Sequence, residues 1–183
     1  MKFDVVIIGG GRAGCSAAAQ LCNSGLKVAI VSEGLSLSVS GSATPYARLA
    51  ELQRRGVTVL RGDRAVGALI EDGRVKSVHT RNLGDDALQA DRFVLATGKF
   101  FSRGLLSDKE HIWEPVFGAD VEYDPDRSKW YDPDFNKPQP FMKYGVKTSP
   151  DGFVLAGGAV VGNLLAVGEI VAEGYPQSDL GKL

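Results

Sequence analysis

The 183-residue sequence carries 21 Lys and Arg against 22 Asp and Glu, a formal net charge of −1, with 44% hydrophobic and 23% charged residues. These are the proportions of an ordinary globular chain long enough to bury a core. The balance gives no electrostatic case for nucleic acid, and no basic stripe with interleaved aromatics is present. The two cysteines, Cys15 and Cys22, form no C-x-x-C pair, which excludes a zinc ribbon and a thioredoxin-like dithiol. Two helical turns separate them by roughly 10 Å, too far for a disulfide, so reduced thiols and a cytoplasmic setting are expected.

The opening MKFDVVII lacks a signal-peptide layout, because its apolar run enters a glycine turn. No apolar run reaches the roughly 18–20 residues that a spanning helix needs. Residues 3–8 are apolar and β-branched without alternation, the pattern of a strand buried on both faces. Residues 12–24 are an Ala- and Leu-rich helix candidate that Gly25 would end as a C-cap. LKVAIVSE, residues 26–33, is a second buried strand, so strand, glycine turn, helix and strand form one βαβ unit. Residues 34–45 are small and polar, a loop. YARLAELQRRG follows as a short amphipathic helix with Leu49 and Leu52 on one face.

Asp72-Gly73 lies between two alternating runs, which predicts an antiparallel hairpin of residues 66–71 and 75–81. ADRFVLATG, residues 90–98, returns to the buried-strand pattern and should rejoin the main sheet. Residues 99–140 hold both tryptophans and a concentration of acidic groups, and read as a long irregular excursion over the domain. YGVKTSPDGFVLAGG is hairpin-like around Asp151-Gly152, and residues 163–171 (NLLAVGEIV) read as a final buried strand. The expected fold is therefore α/β: one Rossmann-like domain over residues 1–183, with a parallel sheet plus an antiparallel hairpin layer.

The chemistry sits at strand ends. GGGRAG matches G-x-G-x-x-G at Gly9, Gly11 and Gly14, after a strand and opening a helix. Gly9 would make the tight turn, Gly11 would let a pyrophosphate reach the backbone, and Gly14 would permit close helix–strand packing. Arg12 and Ala13, with Gly14, start a helix whose free N–H groups and partial positive charge favour phosphate. Glu33, about 20 residues beyond the last glycine, would accept hydrogen bonds from the adenosine ribose and disfavour a 2′-phosphate. Two further strand ends complete the candidates: Thr97 and Gly98 in A-T-G, and Gly168 with Glu169, whose carboxylate could take ribityl hydroxyls. Each of these strand ends could equally be an ordinary strand exit.

The order G-x-G-x-x-G, Glu33, A-T-G and N-L-x-A-x-G-E resembles the two-domain FAD-binding oxidoreductases. More narrowly, FVLATGKFFSRGL, IWEPVFGADV, KPQPFMKYGVKT and NLLAVGEIV resemble the family of the anaerobic glycerol-3-phosphate dehydrogenase B subunits, over residues 2–34 and roughly 44–176. The resemblance implies a flavoprotein, with FAD as cofactor and FMN the alternative, NAD being less expected. It implies a subunit relaying electrons from glycerol 3-phosphate toward quinone in a membrane-associated complex. Partners would be other oxidoreductase subunits or a second copy of the chain, and contact with the inner face of the membrane would run only through a partner. The family is longer: its extra domain falls where this sequence has residues 34–45. A closing helix follows the position of Gly174, where this sequence continues as YPQSDLGKL. A partner chain is expected to supply those walls.

Other candidates are weaker. His79 lies on a hairpin strand and His111 in the excursion, with no partner that the sequence identifies. The acidic run from Asp120 to Asp134 lacks EF-hand spacing, so no metal is expected. Arg103 could neutralise a phosphate or a partner carboxylate, though a surface arginine is the first reading, and Cys15, at the helix start, reads as a packing residue. No catalytic residue is assigned, since a flavin carries the electrons itself. The competing reading is a non-catalytic scaffold or assembly subunit, with the aromatic and acidic excursion as its interface. An NAD(P)-dependent reductase is a third.

Overall fold

The computed structural model describes residues 1–34 and 45–182. The chain runs β1 (Lys2–Ile8), α1 (Arg12–Asn23), β2 (Val28–Ser32), α2 (Pro45–Arg54), β3 (Thr58–Arg61), β4 (Ala65–Glu71), β5 (Arg74–Thr80) and β6 (Ala87–Leu95). Short strands come next: β7 (Leu106–Ser107), β8 (Ile112–Trp113), β9 (Val121–Glu122) and β10 (Gly145–Val146). β11 (Phe153–Ala156) and β12 (Ala159–Ala166) close the main sheet. The loop expected over residues 34–45 falls, except at its two ends, outside the described residues.

The main sheet has the order β11-β12-β6-β1-β2-β3, parallel from β12 to β3, with β11 antiparallel on the edge. β4 and β5 form the antiparallel hairpin, and β5 pairs with the first half of β6. This is the α/β architecture expected, a parallel sheet with an antiparallel hairpin layer. The β4–β5 turn takes φ values of 52° at Asp72 and 67° at Gly73, the left-handed pair that a two-residue hairpin requires.

β6 explains how two layers share one sheet. Its N-terminal half pairs Val78 with Leu88, while its C-terminal half pairs Phe93 with Leu164 of β12. Where β5 and β12 diverge, the buried Asn163 side chain fills the fork. Its Oδ1 accepts from Val75 N–H at 2.8 Å, and its Nδ2 donates to the carbonyls of Val75 at 2.9 Å and Asp91 at 3.2 Å. A buried amide with its partners supplied costs little; stripped of them it would cost the full desolvation penalty.

The continuous apolar character of β1 follows from its position, covered on both faces. One face packs Val5, Ile7, Ile30 and Val94 against Ala17, Ala18 and Leu21 of α1 and Leu49 and Leu52 of α2. The other packs Val6, Ile8, Val31, Phe93 and Leu95 against the hairpin and the segment after β6, through Val78, Leu88, Leu105, Ile112 and Phe117. The segment 99–140 is thus seated on the sheet. Two short antiparallel pairs organise it: β7–β8 lies within it, and β9–β10 ties it to Gly145 and Val146.

Three expectations need correction. The run 163–171 is not one strand: β12 begins at Ala159 and ends at Ala166, and Gly168–Ile170 forms a 3-10 turn. Gly168 takes φ +80°, which a strand cannot continue through. The principal C-terminal hairpin turns at Gly157-Gly158, while Asp151-Gly152 makes a smaller turn bridged by Thr148 and Val154. β3 was not foreseen; it is a short edge strand only half covered, so its apolar signal is weak.

Candidate functional site

The ends of β1, β6 and β12 meet the start of α1 at the C-terminal edge of the parallel sheet, where open α/β sheets hold ligands. Glycine is required there by contact. Gly9 has φ +116°, and a Cβ on it would lie 2.3 Å from the Ala96 carbonyl oxygen. A Cβ on Gly14 would lie 1.8 Å from the Gly9 carbonyl oxygen, so α1 abuts the turn directly. A Cβ on Gly168 would lie 2.5 Å from the Ala13 Cβ, which brings the end of β12 against the first turn of α1. Gly10, which the pattern passes over, would meet Ser32 Oγ at 2.3 Å.

Gly11 differs from all of these. It is the N-cap of α1, with φ −76° and ψ −167°, a backbone any residue adopts. Nothing lies within 4 Å of where its Cβ would be. No side chain caps the helix, and its first turn, with the exposed Arg12, holds no acidic residue. The first N–H groups of α1 therefore carry no side-chain cap, and the positive end of the helix dipole lies with them.

β6 delivers the second strand end. Gly98 has φ +71°, and the chain folds back so closely that a Cβ on Gly104 would sit 1.9 Å from the Gly98 carbonyl oxygen. Ser102 Oγ donates to the Thr97 carbonyl at 2.5 Å. Thr97 Oγ1 is buried and, among the described residues, is without a hydrogen-bond partner. A buried hydroxyl without a partner is costly, and one at a ligand edge fits a polar group arriving from outside.

Glu33 follows β2, its side chain 34% exposed, with Arg64 Nε at 3.6 Å from one oxygen and Arg103 Nη1 at 3.6 Å from the other. Glu169 lies past the end of β12, exposed, in the 3-10 turn. It lines an open cleft of about 650 Å³ with Lys99, Gly168, Tyr175 and Gln177. The Gly168 N–H donates to Gln177 Oε1 at 2.9 Å. Burial holds the Lys99 ammonium below the usual lysine range, opposed by the charges of Glu169 and Glu173, and its Nζ donates to the Met142 carbonyl.

The structure thus draws together Gly9, Gly11, Ala13, Gly14 and Gly168, with Thr97 and Gly98 beside them. Glu33 lies one strand away, and Glu169 opens onto the neighbouring cleft. Sequence reasoning missed Gly10, whose one signal is its place in a triple glycine. It missed Arg64 and Lys99, which carry no local signal because their partners are distant in the chain. Arg103 is a surface group, as first read, and also stands 3.6 Å from the Glu33 carboxylate. The Cys15 thiol is pushed up by burial, with Arg48 partly opposing, so it stays protonated and donates to the Gly10 carbonyl at 3.4 Å. His79 is exposed, and so is His111, whose Nδ1 stands 3.7 Å from Asp108. In I-W-E-P the Glu114 carboxylate, 2% exposed, accepts from the N–H groups of Val116 at 2.9 Å and Phe117 at 2.7 Å, a loop staple.

The open space at the Gly11 Cβ position, the uncapped helix start and the orphaned Thr97 hydroxyl fit a dinucleotide cofactor. Residues 4–48 and 44–179 match the family model described as FAD binding domain. The B subunit of the anaerobic glycerol-3-phosphate dehydrogenase of Actinobacillus succinogenes is 40% identical over 134 residues, which cover 70% of this chain and 31% of that protein. The protein of the same name from Glaesserella parasuis is 38% identical over the same shares. A solved oxidoreductase from Agrobacterium tumefaciens is 28% identical, with a TM-score of 0.45, over 54% of this chain and 37% of that one. The chain spans 31% of the length of the first two relatives. Among the described residues no helix is long and apolar enough to cross a membrane. With that model matched over residues 4–48 and 44–179, most of the sequence, the chain belongs to the FAD binding domain family.

Proposed function

We propose that this chain holds FAD along the sheet edge and serves as the flavin-carrying part of an oxidoreductase of several subunits. The pyrophosphate would rest on the backbone at Gly9, Gly11, Arg12, Ala13 and Gly14, and Glu33 would accept from the adenosine ribose. Thr97, Gly98, Gly168 and Glu169 would line the path toward the ribityl chain and the ring, with Thr97 Oγ1 finding there the partner it lacks. Bound FAD supplies reversible two-electron chemistry, and the protein's part is to bind it, orient it and shield it. The observation that carries this reading is the contrast between Gly11, open for 4 Å, and Gly9 and Gly14, closed by backbone.

The names of the similar proteins support glycerol 3-phosphate as the electron source and other subunits as partners. Those partners would complete the walls of the substrate pocket, and the working location would be the cytoplasm, reaching a membrane through them. A visible spectrum during titration of the purified protein with FAD tests the binding. Flavin bands that remain with the protein through gel filtration are expected; protein that stays colourless overturns the reading. A scaffold role has its own support in Phe101 and Phe135, 89% and 86% exposed on the segment after β6.

A further inference from the structure

The segment after β6 is held on the sheet by one set of side chains and leaves another set bare. Phe100, Trp130 and Phe141 are partly buried against the core that holds Val78 and Phe93. The residue after each of them is exposed: Phe101 by 89%, Tyr131 by 56% and Met142 by 48%. Phe135 is a fourth, 86% exposed.

These four lie on neighbouring pieces of one braced surface. The Phe100 and Phe141 rings meet edge to face at 5.8 Å, and Lys99 Nζ donates to the Met142 carbonyl, so the turns that carry Phe101 and Met142 are side by side. Phe141 N–H donates to the Trp130 carbonyl at 3.0 Å, which brings in Tyr131. Gln139 ties in Phe135: its Oε1 accepts from Asp132 N–H at 3.0 Å, and its Nε2 donates to the carbonyls of Asp134 and Lys137, each at 3.2 Å. The turn that presents Phe101 is fixed by Gly104 N–H, which donates to the Lys99 carbonyl at 2.9 Å.

Two nearly bare phenylalanines and the open halves of a tyrosine and a methionine present roughly 500 Å² of side chain, mostly apolar. A standard interface takes about 800 Å² from each partner, of which about 65% is apolar in homodimers, again roughly 500 Å². The four residues thus supply the apolar core that a stable dimer needs. The charges around them are paired within the chain: Lys129 with Asp124 at 3.6 Å, Lys137 with Asp132 at 3.7 Å and Lys143 with Glu173 at 3.3 Å. A rim neutralised in this way offers little to a strongly acidic or basic partner. At a net charge of −1, two copies meet with little repulsion.

We propose that this face is the seam of a homodimer, in which Phe101, Tyr131, Phe135 and Met142 of one copy sit on the same surface of a second about a twofold axis. Phe101 lies between Lys99, which lines the cleft beside Gly168, and Arg103, which stands 3.6 Å from Glu33. The seam therefore borders the sheet edge proposed for FAD. It stands on the surface alone and does not need the flavin.

Sedimentation equilibrium of the full chain without added flavin tests it, using the wild type, Phe101→Ser, Phe135→Ser, the double variant, Phe101→Leu and Val66→Ser. At tens of micromolar the wild type should sediment at twice the chain mass of 19.5 kDa. Each serine variant should raise the dimer dissociation constant about tenfold or more, as loss of a buried aromatic anchor does, and the double variant should be monomeric. Phe101→Leu should lose less than Phe101→Ser. Val66→Ser, which removes a 54% exposed side chain on β4 outside this face, should leave dimerisation unmoved. Unfolding midpoints, measured where all variants are monomeric, should match the wild type. A wild type that stays monomeric at several hundred micromolar overturns the proposal, as does a dimer whose dissociation constant the double variant leaves unmoved. Lowered monomer midpoints in the serine variants would show that the phenylalanines serve the fold, and overturn it too. A dimeric wild type that binds no FAD overturns the functional reading alone.

Discussion

Replacing Gly11 with valine separates the cradle as a ligand site from the cradle as a packing device. The backbone at φ −76° and ψ −167° admits a β-branched residue, and the new Cβ meets nothing within 4 Å. The cost to the fold is the loss of a glycine N-cap, about 0.5–1 kcal/mol, which lowers the melting temperature by roughly 1–4 °C for a chain of this size. The cost to FAD should be much larger, because the side chain occupies the space through which phosphate oxygens approach the first N–H groups of α1. Two charge-assisted hydrogen bonds lost at about 1.5–3 kcal/mol each amount to a hundredfold or more in affinity. Thermal unfolding without ligand and FAD titration of the same preparation measure both quantities. Gly14→Val is the contrasting control: its Cβ would fall 1.8 Å from the Gly9 carbonyl oxygen, so stability itself should collapse. A Gly11→Val protein that binds FAD like the wild type, or that unfolds like Gly14→Val, would refute the assignment.

The other expectations are structural. Gly168→Ala combines φ +80° with a Cβ 2.5 Å from that of Ala13, and should cost about 1–3 kcal/mol in urea unfolding. Adding Ala13→Gly should recover part of it, and strict additivity of the two would show that the contact is not the cause. Asn163→Ala leaves the Val75 N–H and the Val75 and Asp91 carbonyls without their partner in the fork, about 2–4 kcal/mol by chemical denaturation. A loss within about 0.5 kcal/mol, on the order of a surface substitution, would mean that water replaces the amide there. Burial raises the Glu114 carboxyl above its ordinary 4.5 despite the N–H groups of Phe117, Val116 and Ala119. Its stabilising contribution is therefore complete below pH 4.5 and is lost as pH climbs through the raised folded-state value. Glu114→Gln should remove that slope, so the variant gains on the wild type between those two values; parallel stability curves would contradict it.

The first βαβ unit was legible because each of its signals is local. An unbroken apolar run means burial on both faces, and the spacing Gly9, Gly11, Gly14 belongs to a turn between strand and helix. Asp72-Gly73 announced its hairpin for the same reason, since left-handed φ values at two successive residues restrict the choice of side chains. Edge and junction elements were harder. β3 pairs on one side only, so its residues are half covered and its pattern is faint. The strand expected at residues 163–171 ran too long because Val167, Ile170 and Val171 are buried without being in a strand. Apolarity reports burial, and a packed 3-10 turn satisfies it equally well.

By itself the sequence determined the α/β class, the glycine turn, the helix it opens and the carboxylate that follows the second strand, because these depend on neighbours within about 30 residues. The tertiary structure alone decided which glycine is open and which are closed, since that depends on Ala96, Ala13 and Ser32 arriving from other strands and the helix. It also decided that Arg64 and Arg103 meet at Glu33. An ion pair between residues far apart in the chain leaves no periodicity to read; it exists only once strand order places β2 and β6 on either side of β1.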